Sequence, residues 1–131
     1  MFQIRMRDAA AEHDNFRTVL QTGQHTQLVA MTLQPGEDIG AEVHDENDQV
    51  LIFTEGSVRA EVGGETRDVG PGDLVVVPAG TAHNFTNTGS GLVRLLTVYG
   101  PPDHAPDTVH RTKADALSAE ARGEDEPPQQ T

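Results

Sequence analysis

The side chains best suited to chemistry lie in two short stretches. The first, Gly36 to Gly56, reads GEDIGAEVHDENDQVLIFTEG and offers Glu42, His44 and Gln49. The second, Gly72 to Asn87, reads GDLVVVPAGTAHNFTN and offers His83. Glu42 and His44 are two residues apart on a segment that reads as extended, so their side chains leave the same face. His83 follows a forced turn. Pro78 cannot donate to a ladder and ends the apolar run Leu74 to Val77. Gly80 is free to take the positive φ of a tight reversal. His83, Phe85 and Asn87 then share one face of a short strand, which turns the histidine inward. Other chemistries find little support. The chain has no cysteine, hence no thiolate nucleophile, thiolate metal site or disulfide. No Ser/His/Asp arrangement and no phosphate loop is apparent.

The elements around these stretches read as short strands. His25 to Leu33 alternates, with Gln27, Val29, Met31 and Leu33 on one face and a largely apolar opposite face, as in a sheet inside a sandwich. Glu42 to His44, Gln49 to Thr54, Ser57 to Val62, Glu65 to Val69, Leu74 to Val77, His83 to Asn87 and Leu92 to Tyr99 follow, with Gly63-Gly64 as a two-residue hairpin signal. Leu74 to Val77 reads as fully buried. At the N-terminus, Phe2, Ile4 and Met6 alternate with polar residues and read as a half-buried strand, either an edge on its own core or a strand paired across a dimer. After Tyr99 the stretch GPPDHAPDTVH is too rich in proline to continue a sheet. Thr112 and Asp115 form a capping box for an Ala-rich helix to about Arg122. Residues 123–131 read as a disordered tail, dispensable for stability.

The second stretch matches the second motif of the cupins, G-x5-P-x-G-x2-H-x3-N, at every fixed position. The first resembles a variant of the first cupin motif. There Glu42 replaces the first histidine, His44 keeps its place, Gln49 takes the glutamate position and Gly56 closes the motif. The resemblance runs from about Phe16 to Asp115. It is to small single-domain bacterial cupins of type 2, in the mannose-6-phosphate-isomerase-like subgroup. It implies an all-β fold, an antiparallel β-sandwich or jelly-roll barrel with a short C-terminal helix. The divisions are then 1–15 as N-terminal strand and connector, 16–100 as barrel, 101–122 as Pro-rich segment and helix, and 123–131 as tail.

The resemblance also implies that Glu42, His44, Gln49 and His83 converge inside the barrel. Such a mixed nitrogen and oxygen set suits a divalent transition metal such as Zn, Fe, Mn, Co or Ni. Asp48 competes with Gln49 as a ligand, but strand parity turns it the other way. Glu42, if not a ligand, is placed to act as a general base. His25 reads as a polar residue at a strand end or as one that lines the pocket; His104 and His110 read as exposed loop histidines, or, with the Pro-rich tail folded over the barrel mouth, His110 comes near the site.

The function expected is a small metalloenzyme of isomerase, lyase or oxygenase type acting on a small polar molecule. The alternative is a non-catalytic binding or sensor module; a storage role ranks last in so short a chain. Net charge is −12 with a single lysine, Lys113, which argues against a nucleic-acid partner. The acidity is read as serving solubility more than substrate attraction. No stretch is apolar enough to span a membrane and no signal peptide is apparent, so the expected location is cytoplasmic. A homodimer paired through sheet edges is expected from the N-terminal segment.

Overall fold

The computed structural model describes residues 1–128. Nine strands follow a short N-terminal helix, α1 (Met6–Ala11). They are β1 (Arg17–Thr22), β2 (Gln27–Leu33), β3 (Asp48–Glu55), β4 (Val58–Val62), β5 (Glu65–Val69), β6 (Leu74–Val77), β7 (His83–Asn87), β8 (Val93–Gly100) and β9 (Val109–His110). A C-terminal helix, α2 (Lys113–Ala121), closes the order. The strands form a six-stranded sheet in the order β6-β3-β8-β2-β1-β9 and a three-stranded sheet in the order β5-β4-β7. All named pairings are antiparallel.

Alternation decides what is buried. In β2, Gln27, Val29, Met31 and Leu33 face the core, as the period of two predicts. In β3 the buried set is Gln49, Leu51 and Phe53, and in β7 it is His83, Phe85 and Asn87. Phe53 and Phe85 meet across the sheets at a centroid distance of 5.7 Å. The Gly63-Gly64 turn has φ of 57° and 85°, the left-handed pair that a two-residue hairpin between β4 and β5 requires. Thr112 caps α2 by accepting the Asp115 N–H at 3.1 Å.

Several expectations need correction. No strand forms over Phe2 to Met6. The Ala-rich run after Arg5 has strong helix propensity and forms α1, which buries Ala10 against β2, β3 and β8. The segment therefore supplies no sheet edge, and that argument for a homodimer goes with it. The run Leu74 to Val77 is not fully buried. As β6 it is the edge strand of its sheet, and Leu74 and Val76 are 57% and 54% exposed. The Pro-rich stretch does return to the sheet, because Val109 and His110 pair with Thr18 and Arg17.

The tail is also corrected over its described part; residues 129–131 lie outside the described residues. Asp125 docks on the barrel with its side chain 2% exposed. Its Oδ2 accepts from His104 Nδ1 at 2.7 Å and its Oδ1 from the Ala105 N–H at 3.0 Å. The buried Arg17 guanidinium lies 3.8 Å away. Burial opposes the charge on Asp125, but the His104 hydrogen bond and charge, the Ala105 N–H and Arg17 hold its carboxyl below the usual value. Its contribution to stability is therefore present above the ordinary carboxylate range and is lost as pH falls through the folded value. The composition of GEDEPPQQT hides this, because one buried carboxylate does what no apolar residue there can.

Truncation after Arg122 strands the Arg17 and His104 groups without their anion. We expect truncation and Asp125→Ala each to lower the melting temperature by about 5 °C or more. Removal of residues 127–131 alone should leave it within about 1 °C. Differential scanning calorimetry at neutral pH checks this, and equal melting temperatures for all three chains would refute it.

Candidate metal centre

The site begins with a backbone bridge. The Glu42 N–H donates to the His83 carbonyl and the His83 N–H donates to the Glu42 carbonyl, both at 3.0 Å. Residues directly opposed in this way project their side chains to the same face. His44, two residues on, leaves by that face as well. Its carbonyl accepts the Gly80 N–H at 2.9 Å, so the Pro78-Gly80 turn that aims His83 also fixes His44. The result is a cluster in which one ligand atom from each of Glu42, His44 and His83 lies within 4.8 Å of the others.

Both imidazoles are held by their Nδ1 atoms. His83 Nδ1 lies 2.9 Å from the Thr81 carbonyl, which accepts only, so that nitrogen carries the proton. His44 Nδ1 lies 3.4 Å from Asp103 Oδ1. Each ring is thereby turned with Nε2 free for a ligand, the orientation that outer carboxylates and carbonyls impose on metal-binding histidines. His44 Nε2 is buried and has no hydrogen-bond partner, although Glu42 Oε2 is 2.6 Å away.

The two carboxylates act on the ring. Asp103, then Glu42, push the His44 pKa up to about 10 against the cost of burial. Burial works against the charge of Asp103, but the hydrogen bond from His44 and the charge of His104 keep its carboxyl below the usual value.

Gln49 is 2% exposed. Its Nε2 donates to Thr97 Oγ1 at 3.0 Å, while its Oε1 is buried without a partner. An orphaned carbonyl oxygen inside a barrel costs free energy unless something meets it. Asp48 faces out, as parity predicts, and its Oδ1 accepts the Ala79 N–H at 2.9 Å. It braces the turn before His83. Two imidazoles, a carboxylate and an unmatched amide oxygen thus fit a divalent transition metal by donor chemistry.

Of the remaining histidines, His25 is exposed in the bend between β1 and β2, and the strand expected from His25 begins at Gln27. His104 and His110 are not exposed loop residues: both are buried. His110 lies in β9, paired with β1 at the sheet edge, with Nδ1 3.4 Å from Arg17 Nη1, and burial and that charge push its pKa down. His104 stacks edge-on to Tyr99 at 5.1 Å, and Tyr99 in turn meets His44 at 5.8 Å. Asp103, the partner of His44, escaped the sequence reading. Its only signal was an acidic residue beside a histidine in PPDHAPD. The site opens to a cleft of about 390 Å³ whose walls include Glu42, His44, Asp103 and His104. Gln27 holds that segment in place: its Oε1 accepts the His104 N–H at 2.9 Å and its Nε2 donates to the His104 carbonyl at 2.8 Å.

Among the described residues, no helix is long and apolar enough to cross a membrane. Comparison with known proteins agrees with the geometry. The family model described as "Cupin domain" matches residues 29–99. The uncharacterized protein YrkC of Bacillus subtilis (strain 168) is 42% identical over 125 residues, covering 91% of this chain and 67% of YrkC. The solved structure of BH2720 from Bacillus halodurans superposes with a TM-score of 0.88 at 38% identity, covering 90% of this chain and 94% of that one. The enzyme mannose-1-phosphate guanylyltransferase ManC of Salmonella typhimurium is 24% identical over 79 residues, only 16% of its length. A barrel of this topology, with both motifs in place and relatives matched over nearly its whole length, makes the chain a member of the cupin family.

Proposed function

We propose that this cupin binds a divalent transition metal through Glu42, His44 and His83, with Gln49 as a weaker fourth donor, and acts on a small polar molecule. The observation that carries the reading is the cluster of Glu42, His44 and His83, with one ligand atom of each within 4.8 Å of the others and both imidazole Nδ1 atoms engaged elsewhere. Zn, Fe, Mn, Co and Ni all suit the donor set, and a bound ion of this kind supplies Lewis-acid polarisation of a ligand oxygen. The chain itself does the rest. Asp103 orients His44, Thr81 orients His83, and the barrel wall around Phe85 and Tyr99 limits water. Isomerase, lyase and oxygenase chemistries all fit such a site.

A second reading has its own observation. His44 lies between the carboxylates of Glu42 and Asp103, whose charges favour its protonated ring. A binding or sensor module with no metal would use that arrangement as it stands.

Metal analysis of untagged protein, with calorimetry on variants, separates the two. For the metal reading, His83→Ala and His44→Ala should weaken binding by about 100-fold or more, and Asp103→Asn by about 10-fold. Gln49→Ala should cost least, Gln49→Glu should tighten binding, and Asp48→Ala should change affinity by less than about 2-fold. Wild-type protein with no metal affinity would leave only the binding module.

The pH dependence has a definite sign. The raised His44 pKa stabilises the metal-free fold below the ordinary histidine value, and that contribution fades as pH rises through about 10. The metal needs the neutral ring, so binding must displace that proton. Affinity should rise with pH by up to about tenfold per unit, with uptake of metal releasing a proton into the buffer. Calorimetry in buffers of different ionisation enthalpy reads this release. An affinity flat from pH 6 to pH 8, with no proton released, would contradict it.

A further inference from the structure

The outer face of the six-stranded sheet lacks the polar residues that a solvated face should carry. Strand pairing aligns two rows of side chains across it. One row runs Leu74, Ile52, Leu96, Ala30, Thr18 and Val109, one residue from each strand. The next runs Val76, Val50, Val98 and Leu28 and ends at Gln21. These residues alternate with the core residues of their strands, so they point away from the interior. Neither row holds a charged side chain, in a chain of net charge −12. An antiparallel sheet with one face in water ordinarily alternates apolar-in and polar-out. Here both faces are apolar, as in a sheet with a layer on each side. Helix α1 supplies part of the outer layer, since it packs on β2, β3 and β8, and Leu96 is buried. The outer strands stay open: Leu74 and Val76 on β6 and Val109 on β9 are each more than half exposed.

We propose that a second copy of this chain covers this face, the two six-stranded sheets packing on one another about a two-fold axis. Extent is the first argument. Six strands about 4.8 Å apart and two residue rows about 7 Å apart make a footprint of roughly 400 Å². Met6 on α1 and Phe2 before it are exposed and widen the apolar surface. A pair of copies then buries on the order of 1,000 Å² in all, the lower limit for a specific interface. Charge is the second argument. The end of the face beside α1 carries Arg5, Arg7 and Arg94 among Asp8, Asp14 and Glu55. At the other end, the loop leading into β3 carries Asp45, Glu46 and Asp48 and no base. A two-fold axis running across the strands lays the two sheets antiparallel, so the arginine end of one copy meets the acidic end of the other. The same axis sets β6 over β6 and β9 over β9. The rows between the ends put no charge under cover. This proposal does not depend on the metal reading.

Sedimentation velocity over a concentration series tests this. The chain should be mainly dimeric at about 100 µM, as an interface of this size allows. Val76→Glu and Val109→Glu, at opposite edges of the sheet, should each weaken pairing by about 10-fold or more, because each sets a like charge against its own copy. Both side chains are exposed in the single chain, so circular dichroism should show an unchanged fold. Thr66→Glu adds the same charge on β5, in the other sheet, and should leave pairing unchanged. A chain that stays monomeric at about 200 µM would overturn the proposal. Weakening by Thr66→Glu equal to that of the other two would overturn it as well, by tracing the effect to net charge. Loss of pairing in Val76→Glu with Val109→Glu unaffected would place the contact along the β6 edge and overturn the face-to-face arrangement.

Discussion

The arrangement depends on one reciprocal pair of backbone hydrogen bonds, between Glu42 and His83. Those residues are far apart in sequence and lie outside a continuous ladder on the Glu42 side. The bridge brings a carboxylate and an imidazole to one face, and the period of two brings His44 to the same face. Everything else around the site serves to keep that bridge in register. Gly80 bonds the His44 carbonyl, and Asp48 bonds the Ala79 N–H across the same turn. Loss of this register by one residue would turn Glu42 and His44 to the face opposite His83.

The Pro-rich segment and the start of the tail add a wall beside this centre. Asp103 reaches His44, and His104 reaches Asp125 at the far side of the same segment. Gln27, buried on β2, clamps the segment by accepting from its backbone and donating to it. The charges alternate from His44 through Asp103, His104 and Asp125 to Arg17. Each buried charge is met by its neighbour, the condition under which such groups are tolerated in a protein interior. The segment that looks most expendable by composition is therefore tied to the orientation of His44, a proposed metal ligand.

Most of the barrel was legible because its signals are local. Alternation in Gln27–Leu33, the Gly63-Gly64 turn, the Pro78-Gly80 break and the Thr112 cap each act within a few residues. Glu42, His44 and His83 were found through motif spacing, and the coordinates bring those three together. The misreadings share a cause. Phe2–Met6 alternates like a strand, but a strand needs a partner, and the Ala-rich run beyond it found a helix and a docking surface first. Leu74 and Val76 look like core residues, yet burial depends on which side of β6 is covered, and β6 lies at an edge. Asp103, His104 and Asp125 acquire meaning only from contacts with residues tens of positions away, such as Gln27 and Arg17. No periodicity records such contacts.

The central claim is that His44 and His83 present Nε2 to a common metal while Nδ1 stays protonated and engaged. Nitrogen-15 NMR of the imidazole rings during a zinc titration tests it most directly. The account predicts that one equivalent of zinc shifts the Nε2 resonances of both histidines together, while both Nδ1 atoms keep the signature of a bound proton. Shifts at Nδ1, a response from only one of the two rings, or unchanged spectra at one equivalent would contradict it.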